Sequence, residues 1–220
     1  MALPLGESEA IGSPSTSSKA GNPSKAEAGA AYDSVSHGRQ AFGKMQAATG
    51  DVVWHGDAFA RKSENYAIPG PVDRQSETWA ETSGIAGGAS VMLGNGDVDG
   101  YAGGAITYYD SKYGIPAPGN PANPVHIDMH QTKVQLASEL EFNDGPFSAL
   151  GLTGGYSDYS HGEVDATGAT GSRFDNEEWE GRAELLHRAV GPFTGAFGIQ
   201  ARKRDMEAAG EGGELLAPTT

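Results

Sequence analysis

The sequence predicts an all-β fold, a segment of an antiparallel up-and-down transmembrane β-barrel with about nine strands. Three observations support this prediction. Apolar and polar residues alternate along several segments, tight turn signals recur at nearly even spacing, and longer polar stretches lie between those turns. Strands joined alternately by short turns and long loops are typical of outer-membrane barrels.

The composition indicates an apolar surface that faces something other than the protein's own interior. The 220 residues include 33 glycines and 12 prolines, and only 37% are hydrophobic. This mixture is too rich in glycine and too poor in apolar residues for an ordinary packed core of this length. The chain is therefore either partly disordered or partly in contact with another apolar phase.

Charge and cysteine content exclude several classes of protein. The formal net charge is −14 and no cluster of lysines or arginines is present, so nucleic acid is not an expected partner. The absence of cysteine excludes disulfides and thiolate metal sites. No apolar run reaches the roughly 18 residues of a transmembrane helix. The first residues do not resemble a signal peptide, which we expect to be missing from this sequence if the full protein has one.

The chain divides into a barrel segment and two flanking stretches. Residues 1–24 are small and polar, which predicts a flexible lead-in or linker because they cannot bury enough apolar area to offset the entropy of ordering. We expect the barrel segment over residues 25–209. Residues 210–220 are expected to form a loop or a frayed tail.

Alternation is clearest over residues 133–142. A strand places these residues on two different faces, whereas a helix would mix them. The apolar members occupy even positions: Val134, Leu136, Leu140 and Phe142. The polar members that we expect to face the barrel lumen, here and in the similar segments 179–188 and 193–202, are Lys133, Glu139, Glu141, Arg182, Glu184 and Arg202. Leu186 and His187 break the pattern locally.

Weaker strand patterns fill the rest of the barrel segment. Glycine and alanine dilute the alternation at 26–32 and 147–156. The pattern is poorer still at 40–49, 51–61, 78–93 and 98–110. Aromatic residues lie mostly toward the expected strand ends, where membrane interfaces favour them, although the β-propensity of aromatic residues explains them equally well. They are Trp54, Tyr101, Tyr108, Tyr109, Tyr113, Tyr156, Tyr159 and Trp179.

The connections alternate between short and long. Tight turns are predicted at Gly50-Asp51, Asn95-Gly96-Asp97, Asn143-Asp144-Gly145 and Gly191-Pro192. Long polar loops are predicted at 62–77, 111–125 and 160–173. The stretch 115–124 contains four prolines, which cannot donate to a strand ladder, so it should be an exposed loop.

Several consecutive segments resemble strands and external loops of TonB-dependent outer-membrane receptors. They are 57–70 (DAFARKSENYAIPG), 109–116 (YDSKYGIP), 127–133 (IDMHQTK), 154–161 (GGYSDYSH) and 179–185 (WEGRAEL). The similarity runs in unbroken order over roughly residues 25–205. It consists of strand and loop sequences and includes no catalytic signature.

The resemblance implies a plug domain ahead of a barrel of about 22 strands. It also implies uptake of a scarce ligand, such as a siderophore, a metal or another small nutrient, driven by the TonB energy-coupling complex. No plug, coupling segment or complete wall is recognisable here, so we expect a fragment that follows the plug. The expected surroundings are outer-membrane lipid, the missing plug and the remaining barrel strands. The sequence alone does not name the ligand.

One candidate metal site is present. His126, Asp128 and His130 lie at a spacing of two residues, so an extended strand points all three the same way, and imidazole with carboxylate is a reasonable ligand set for zinc or iron. The alternative is that these residues continue the register of the apolar face above the membrane, where polar residues are unremarkable.

No pattern indicates an enzyme. The remaining histidines are scattered, and no serine, histidine and carboxylate stand at a recognisable spacing. The glycines at 100–104 are followed by neither Lys-Ser nor Lys-Thr, so close strand packing explains them better than a phosphate loop.

Two alternatives to a receptor wall are open. One is a small self-contained β-barrel or β-sandwich that acts as a binding or adhesin module without transport. The other is a secreted β hydrolase, which no pair of carboxylates supports. A plug of about 120–150 residues upstream in the reading frame would favour the receptor.

Overall fold

The computed structural model describes residues 24–66, 79–94, 97–115 and 124–210. Within these ranges the chain forms nine β-strands and no helix. The strands are β1 (Lys25–Asp33), β2 (Gly38–Thr49), β3 (Val52–Ser63), β4 (Ala80–Gly94), β5 (Val98–Ile115), β6 (Val125–Phe142), β7 (Phe147–Val164), β8 (Thr170–Val190) and β9 (Phe193–Gly210).

The nine strands make a single antiparallel sheet in sequence order, β1 to β9, and each strand pairs with its neighbours along the chain. No pairing closes β1 onto β9 among the described residues, so the sheet is open. The predicted all-β, up-and-down fold is confirmed.

At one end of the strands, which we call the turn edge, lie the connections at 50–51, 95–97, 143–146 and 191–192. Glycine makes these turns possible, since Gly50, Gly145 and Gly191 have φ of 63°, 89° and 62°, a region that other residues rarely adopt. The predictions at 50–51, 143–145 and 191–192 are confirmed. Of the turn predicted at 95–97, residues 95 and 96 lie outside the described residues.

The opposite edge, the loop edge, carries the connections at 34–37, 64–79, 116–124 and 165–169. The predicted long loop at 160–173 is wrong, because β7 continues to Val164 and β8 begins at Thr170. Polar residues in these strand ends look like loop residues in the sequence. Asp165 makes the short connection possible by accepting hydrogen bonds from the Thr167 hydroxyl and the Ala169 N–H, at 2.7 and 2.9 Å.

Most strands extend further toward the loop edge than the sequence predicts. The predicted loop at 111–125 is too long, since β5 includes residues up to Ile115 and β6 begins at Val125. Residues 116–123 of the proline-rich stretch lie outside the described residues. So do residues 1–23 of the predicted lead-in and 211–220 of the predicted tail.

Directly paired residues of neighbouring strands lie on the same face of a sheet, so the register defines two faces. Leu136 pairs with Gly104 and Gly154, and Gln135 pairs with Ala105 and Gly155. We call the face of Leu136 the apolar face and that of Gln135 the polar face. The predicted lumen-facing residues Lys133, Glu139, Glu141, Arg182, Glu184 and Arg202 all share the polar face.

The break in alternation at Leu186 and His187 is one of residue type, because β8 itself keeps its period of two. Leu186 falls on the polar face and His187 on the apolar one. A β-bulge lies opposite them, since the register of β7 and β8 shifts between Phe147 and Ala149 and Ser148 is an additional residue in β7. The bulge places Phe147 on the apolar face, which a sequence pattern of period two cannot show.

The sheet does not enclose a hydrophobic core. Among the described residues only two hydrophobic side chains are buried, those of Ala86 and Ile127. Large apolar side chains are exposed instead, with Leu136 at 59% and Ile199 at 73%. A layer of this kind needs a second apolar layer against it, because the apolar side of a sheet is stable only when it is covered.

Candidate membrane interface

The apolar face carries a continuous apolar band next to the turn edge. On every strand from β3 to β7, side chains of this face are aliphatic, aromatic or small for about the 9–11 residues that a membrane-crossing strand needs. On β8 the run from Trp179 to Leu185 is shorter, because His187 shares this face. Examples are Ile85, Val91, Ile106, Val134, Leu136, Leu152 and Leu185. Residues 147–156 extend over about 31 Å along the strand. A strand tilt of about 40° gives a height near 24 Å, against about 25 Å for the apolar band of outer-membrane barrels.

Aromatic residues mark both borders of this band. Tyr108, Tyr156 and Trp179 lie at the border toward the loop edge, whereas Trp54 and Phe147 lie close to the turn edge. The rings of Tyr156 and Trp179 are 4.3 Å apart. The Trp179 indole N–H donates to the Glu177 carboxylate, at 3.2 Å, on the side toward the loop edge. This orientation, ring toward the apolar band and N–H toward charged groups, is the one that amphipathic rings adopt at membrane interfaces.

Only half of the predicted aromatic set belongs to these borders. Trp54, Tyr108, Tyr156 and Trp179 share the apolar face. Tyr101, Tyr109, Tyr113 and Tyr159 lie on the polar face. Sequence position near a strand end did not separate the two groups, because neighbouring residues of a strand point to opposite faces.

Beyond the aromatic border the same face becomes charged. We call this part, between the aromatic border and the loop edge, the charged collar. It contains the ion pairs Lys62–Glu81, Lys112–Asp128, Arg173–Asp175 and Lys203–Asp205, at 3.0, 2.7, 2.8 and 2.6 Å. Exposed pairs of this kind contribute about 0–1 kcal/mol each. These ion pairs matter for where they lie, because they mark the position on this face at which the apolar band ends.

The polar face combines small residues with charged ones. Arg202 donates to Glu178 at 2.7 Å, and Lys44 lies 3.1 Å from Glu27. A shallow depression of about 320 Å³ occurs on β6 to β9, with Gln135, Thr153, Glu180, Arg182 and Gln200 in its lining. Such a surface is suited to contact with water.

Aromatic rings also pack on the polar face, close to the loop edge. The Phe42 ring covers Gly29 and the Phe59 ring covers Gly84, so that a Cβ at either glycine would come within 2.5 Å of the ring. Phe59 lies 6.1 Å from Tyr109, and His161 stacks on Phe174 at 4.6 Å. The sequence analysis missed this packing. A glycine directly opposite a phenylalanine is its signal, but it is visible only when the register is known.

The three predicted metal ligands share the apolar face within the charged collar, and each has a different neighbour. The His126 ring lies 5.6 Å from Trp79, and Asp128 accepts from Lys112 at 2.7 Å. His130 is directly opposite Asp110 and Ser160. Within the described ranges no group of three or more His, Asp or Glu side chains is arranged to hold a metal ion. The zinc or iron site stays a prediction.

Among the described residues, no helix is long and apolar enough to span a membrane. No protein-family model matches the chain, and no curated protein is significantly similar to it.

Proposed function

We propose that this chain forms part of the wall of a β-barrel in a bacterial outer membrane, and that the barrel is a TonB-dependent receptor. The observation that carries the first part is the apolar band on one face of an open antiparallel sheet. It is bordered by aromatic rings and followed by charged residues.

Lipid explains why only one face is apolar. Hydrocarbon solvates the apolar face, and the lumen of the barrel leaves the polar face in water. A soluble β-sandwich instead requires a second sheet against the apolar face. The described residues contribute all nine of their strands to one sheet, so they contain no covering layer.

The polar face is suited to the inside of the barrel. Five of the six buried residues other than glycine in the described ranges, Ser63, Ala86, Ser111, Ile127 and Ser172, lie on the polar face, and Ser160 lies on the apolar face within the charged collar. Exposed large side chains such as Ile85, Leu136 and Ile199 lie on the apolar face. Side chains crowd on the concave side of a curved sheet and spread on the convex side. This distribution supports a wall that curves toward the polar face.

The receptor assignment depends on the resemblance of residues 25–205 to the strands and loops of TonB-dependent receptors. In this proposal the wall contributes a polar lining to the uptake path of a scarce small ligand. The ion-paired residues of the polar face line that path and take part in no reaction. Plug, coupling complex and ligand are partners of the complete receptor.

A pair of neighbouring substitutions tests the membrane assignment. Leu136→Arg places a cation in the apolar band, and Gln135→Arg places the same cation on the polar face one residue away. We expect Leu136→Arg to lower the free energy of unfolding from phosphatidylcholine vesicles by about 2–4 kcal/mol, the cost of arginine at the bilayer midplane. Gln135→Arg should change it by less than about 0.5 kcal/mol. Urea titration of folding in vesicles measures both values.

If the two substitutions changed the free energy of unfolding equally, this result would contradict the membrane assignment. A chain that stays folded and monomeric in buffer without any amphiphile would do the same, and would favour the self-contained binding module. The receptor part has a separate test. Cells that lack the protein should accumulate less of one substrate from a panel of iron chelates, cobalamin and zinc, but only while the inner membrane is energised. Unchanged uptake of the whole panel would contradict it.

A further inference from the structure

One row of side chains on the polar face alternates tyrosines with carboxamides. Gln131 pairs directly with Tyr109 and with Tyr159, and Tyr159 pairs with Asn176. Because directly paired residues share a face, these four side chains form a line across β5 to β8, which we call the tyrosine–amide row. The row lies toward the loop edge, on the face that the proposed function turns to the barrel lumen.

Neighbouring side chains restrict both tyrosines of this row. The Tyr109 ring lies 6.1 Å from the Phe59 ring, and the Tyr159 ring meets the His161 ring edge-on at 5.5 Å. The Tyr159 hydroxyl also lies 2.9 Å from Nδ1 of His161. Side chains that are held in place before binding lose less conformational entropy when a ligand arrives.

The shallow depression on β6 to β9 continues the row toward the turn edge. Gln135, Thr153 and Gln200 belong to its lining, and their side chains make no hydrogen bond to any other described residue. A Cβ at Gly155 would come within 3.1 Å of the Glu180 side chain, so Glu180 lies over this glycine. Carboxamide and hydroxyl groups that are free to bind a ligand thus lie beside the row on the same face.

The charges of this region are balanced. Three arginines contact carboxylates of β8: Arg182 with Glu184, and Arg202 and Arg204 with Glu178. Lys133 and Glu180 form no ion pair with a described residue, and their charges are opposite. The region therefore has no surplus of free cations, and an anionic ligand would lose hydration there without gaining a cationic partner.

We propose that the tyrosine–amide row and the depression beside it bind a neutral oligosaccharide. The inference rests on the proposed function, because it names the substrate class of the uptake path. A sugar ring has an apolar C–H face, which stacks on the rings of Tyr109 and Tyr159. Its hydroxyls both donate and accept hydrogen bonds, as carboxamides do. From Gln131 in the row to Ala137 in the depression, β6 covers about 20 Å, which is longer than one sugar ring and suits several linked units.

Titration of the full chain in phosphatidylcholine vesicles tests the inference, with saturation-transfer NMR as the measurement. The neutral probes are cellohexaose and maltohexaose, which differ in linkage. Hexagalacturonate and ferric citrate are the anionic probes, and a hexapeptide of glycine and serine offers hydrogen bonds without sugar rings. We expect at least one neutral saccharide to bind more tightly than the anionic probes and the peptide.

Substitutions locate the site. Tyr109→Ala and Tyr159→Ala should each raise the Kd about three- to tenfold, as the loss of a ring contact does. Tyr109→Phe keeps the ring and should bind within about twofold of the unaltered chain. Tyr101→Ala is the matched control, because Tyr101 shares the polar face but lies near the turn edge, outside the row and the depression.

Preferential binding of an anionic probe or of the peptide overturns the inference, and so does an equal loss of affinity in Tyr101→Ala. If the chain inserts into vesicles and Leu136→Arg destabilises it as expected, but neither neutral saccharide binds, only this inference fails. If the chain does not associate with vesicles, the proposed function fails and this inference fails with it.

Discussion

The short connection at residues 165–169 depends on two residues, Asp165 and Gly168. The carboxylate of Asp165 accepts from the Thr167 hydroxyl and from the Thr167 and Ala169 N–H groups, at 2.7, 2.8 and 2.9 Å. Gly168 adopts φ of 85°, which favours glycine. Hydrogen bonds to the ionised form, the Thr167 hydroxyl first, hold the pKa of the Asp165 carboxyl below its ordinary value of 3.8.

The turn formed by Asp165 should therefore loosen in acid. A lowered folded-state pKa means that the stabilisation is complete above the ordinary carboxyl pKa and is lost as pH falls through the lower folded value. We expect exchange of the Ala169 amide, corrected for intrinsic rates, to accelerate below about pH 4. Asp165→Asn should make that protection independent of pH from 7 to 2. Unchanged pH dependence in Asp165→Asn would contradict this explanation, and Asp144→Asn in the β6–β7 turn is the control.

The metal prediction for His126, Asp128 and His130 can be tested by zinc titration. We expect weak binding, because Asp128 must leave its ion pair with Lys112 before it can ligate. Lys112→Gln should tighten binding by up to about fivefold, since an exposed pair contributes about 0–1 kcal/mol. A double substitution of both histidines by alanine should abolish it. Zinc binding that survives the double substitution would exclude this site.

At the scale of elements, strand β8 holds the turn between β6 and β7. The Arg188 Nε donates to the Gly145 carbonyl at 3.0 Å, and a second guanidinium nitrogen donates to the Phe142 carbonyl. The Arg188 backbone N–H donates to the Pro146 carbonyl at 2.9 Å. One arginine thus ties β8 to the end of β6 and to the turn between β6 and β7, next to the β7 bulge.

Arg188→Ala should weaken this corner of the sheet. We expect a loss of about 1 kcal/mol in the free energy of unfolding, because two charge-assisted hydrogen bonds to backbone carbonyls disappear at an exposed site. Arg188→Lys should recover less than half, since an ammonium group lacks the planar fork of the guanidinium. Urea unfolding in vesicles and exchange of the 143–146 amides measure the effect. Arg182→Ala, on the same strand and paired with Glu184, is the control and should cost little.

At the scale of the whole molecule, the proposed function gives the sheet an orientation relative to a bilayer, defined by its two faces together with the turn edge and the loop edge. The apolar band lies next to the turn edge, and the charged collar lies next to the loop edge. The three tryptophans sample this arrangement at different levels. Trp54 and Trp179 lie at the borders of the apolar band, whereas Trp79 lies at the loop edge beside His126.

Lipids brominated along their acyl chains should therefore quench the tryptophans unequally. In single-tryptophan variants, with the other two replaced by phenylalanine, we expect fluorescence of Trp54 and Trp179 to fall at least twofold. Fluorescence of Trp79 should change little. Vesicles of unbrominated lipid are the control. Similar quenching of all three residues would contradict the proposed orientation.

Much of the fold could be predicted from local patterns, and the failures have a common cause. The alternation over 133–142 was sufficient for β6, because apolar and charged side chains there separate completely. The same logic failed at 160–173, where β7 and β8 run through the charged collar and polar residues occupy both faces. A polar stretch can be told apart from a strand only where the strand has an apolar face, because a strand with two polar faces has the same composition as a loop. The four residues at 34–37 similarly make a short connection on an edge predicted to carry long ones.

The candidate interface divides in the same way. The sequence alone determined that the protein is all-β, that its strands have one apolar side, and where glycine-containing turns reverse the chain, since these features depend on neighbours along the chain. Only the tertiary structure decided which aromatic rings share the apolar face and that Phe59 covers Gly84. It also decided that β1 and β9 run in the same direction. Those facts depend on register and strand order, which hydrogen bonds between residues distant in the chain establish.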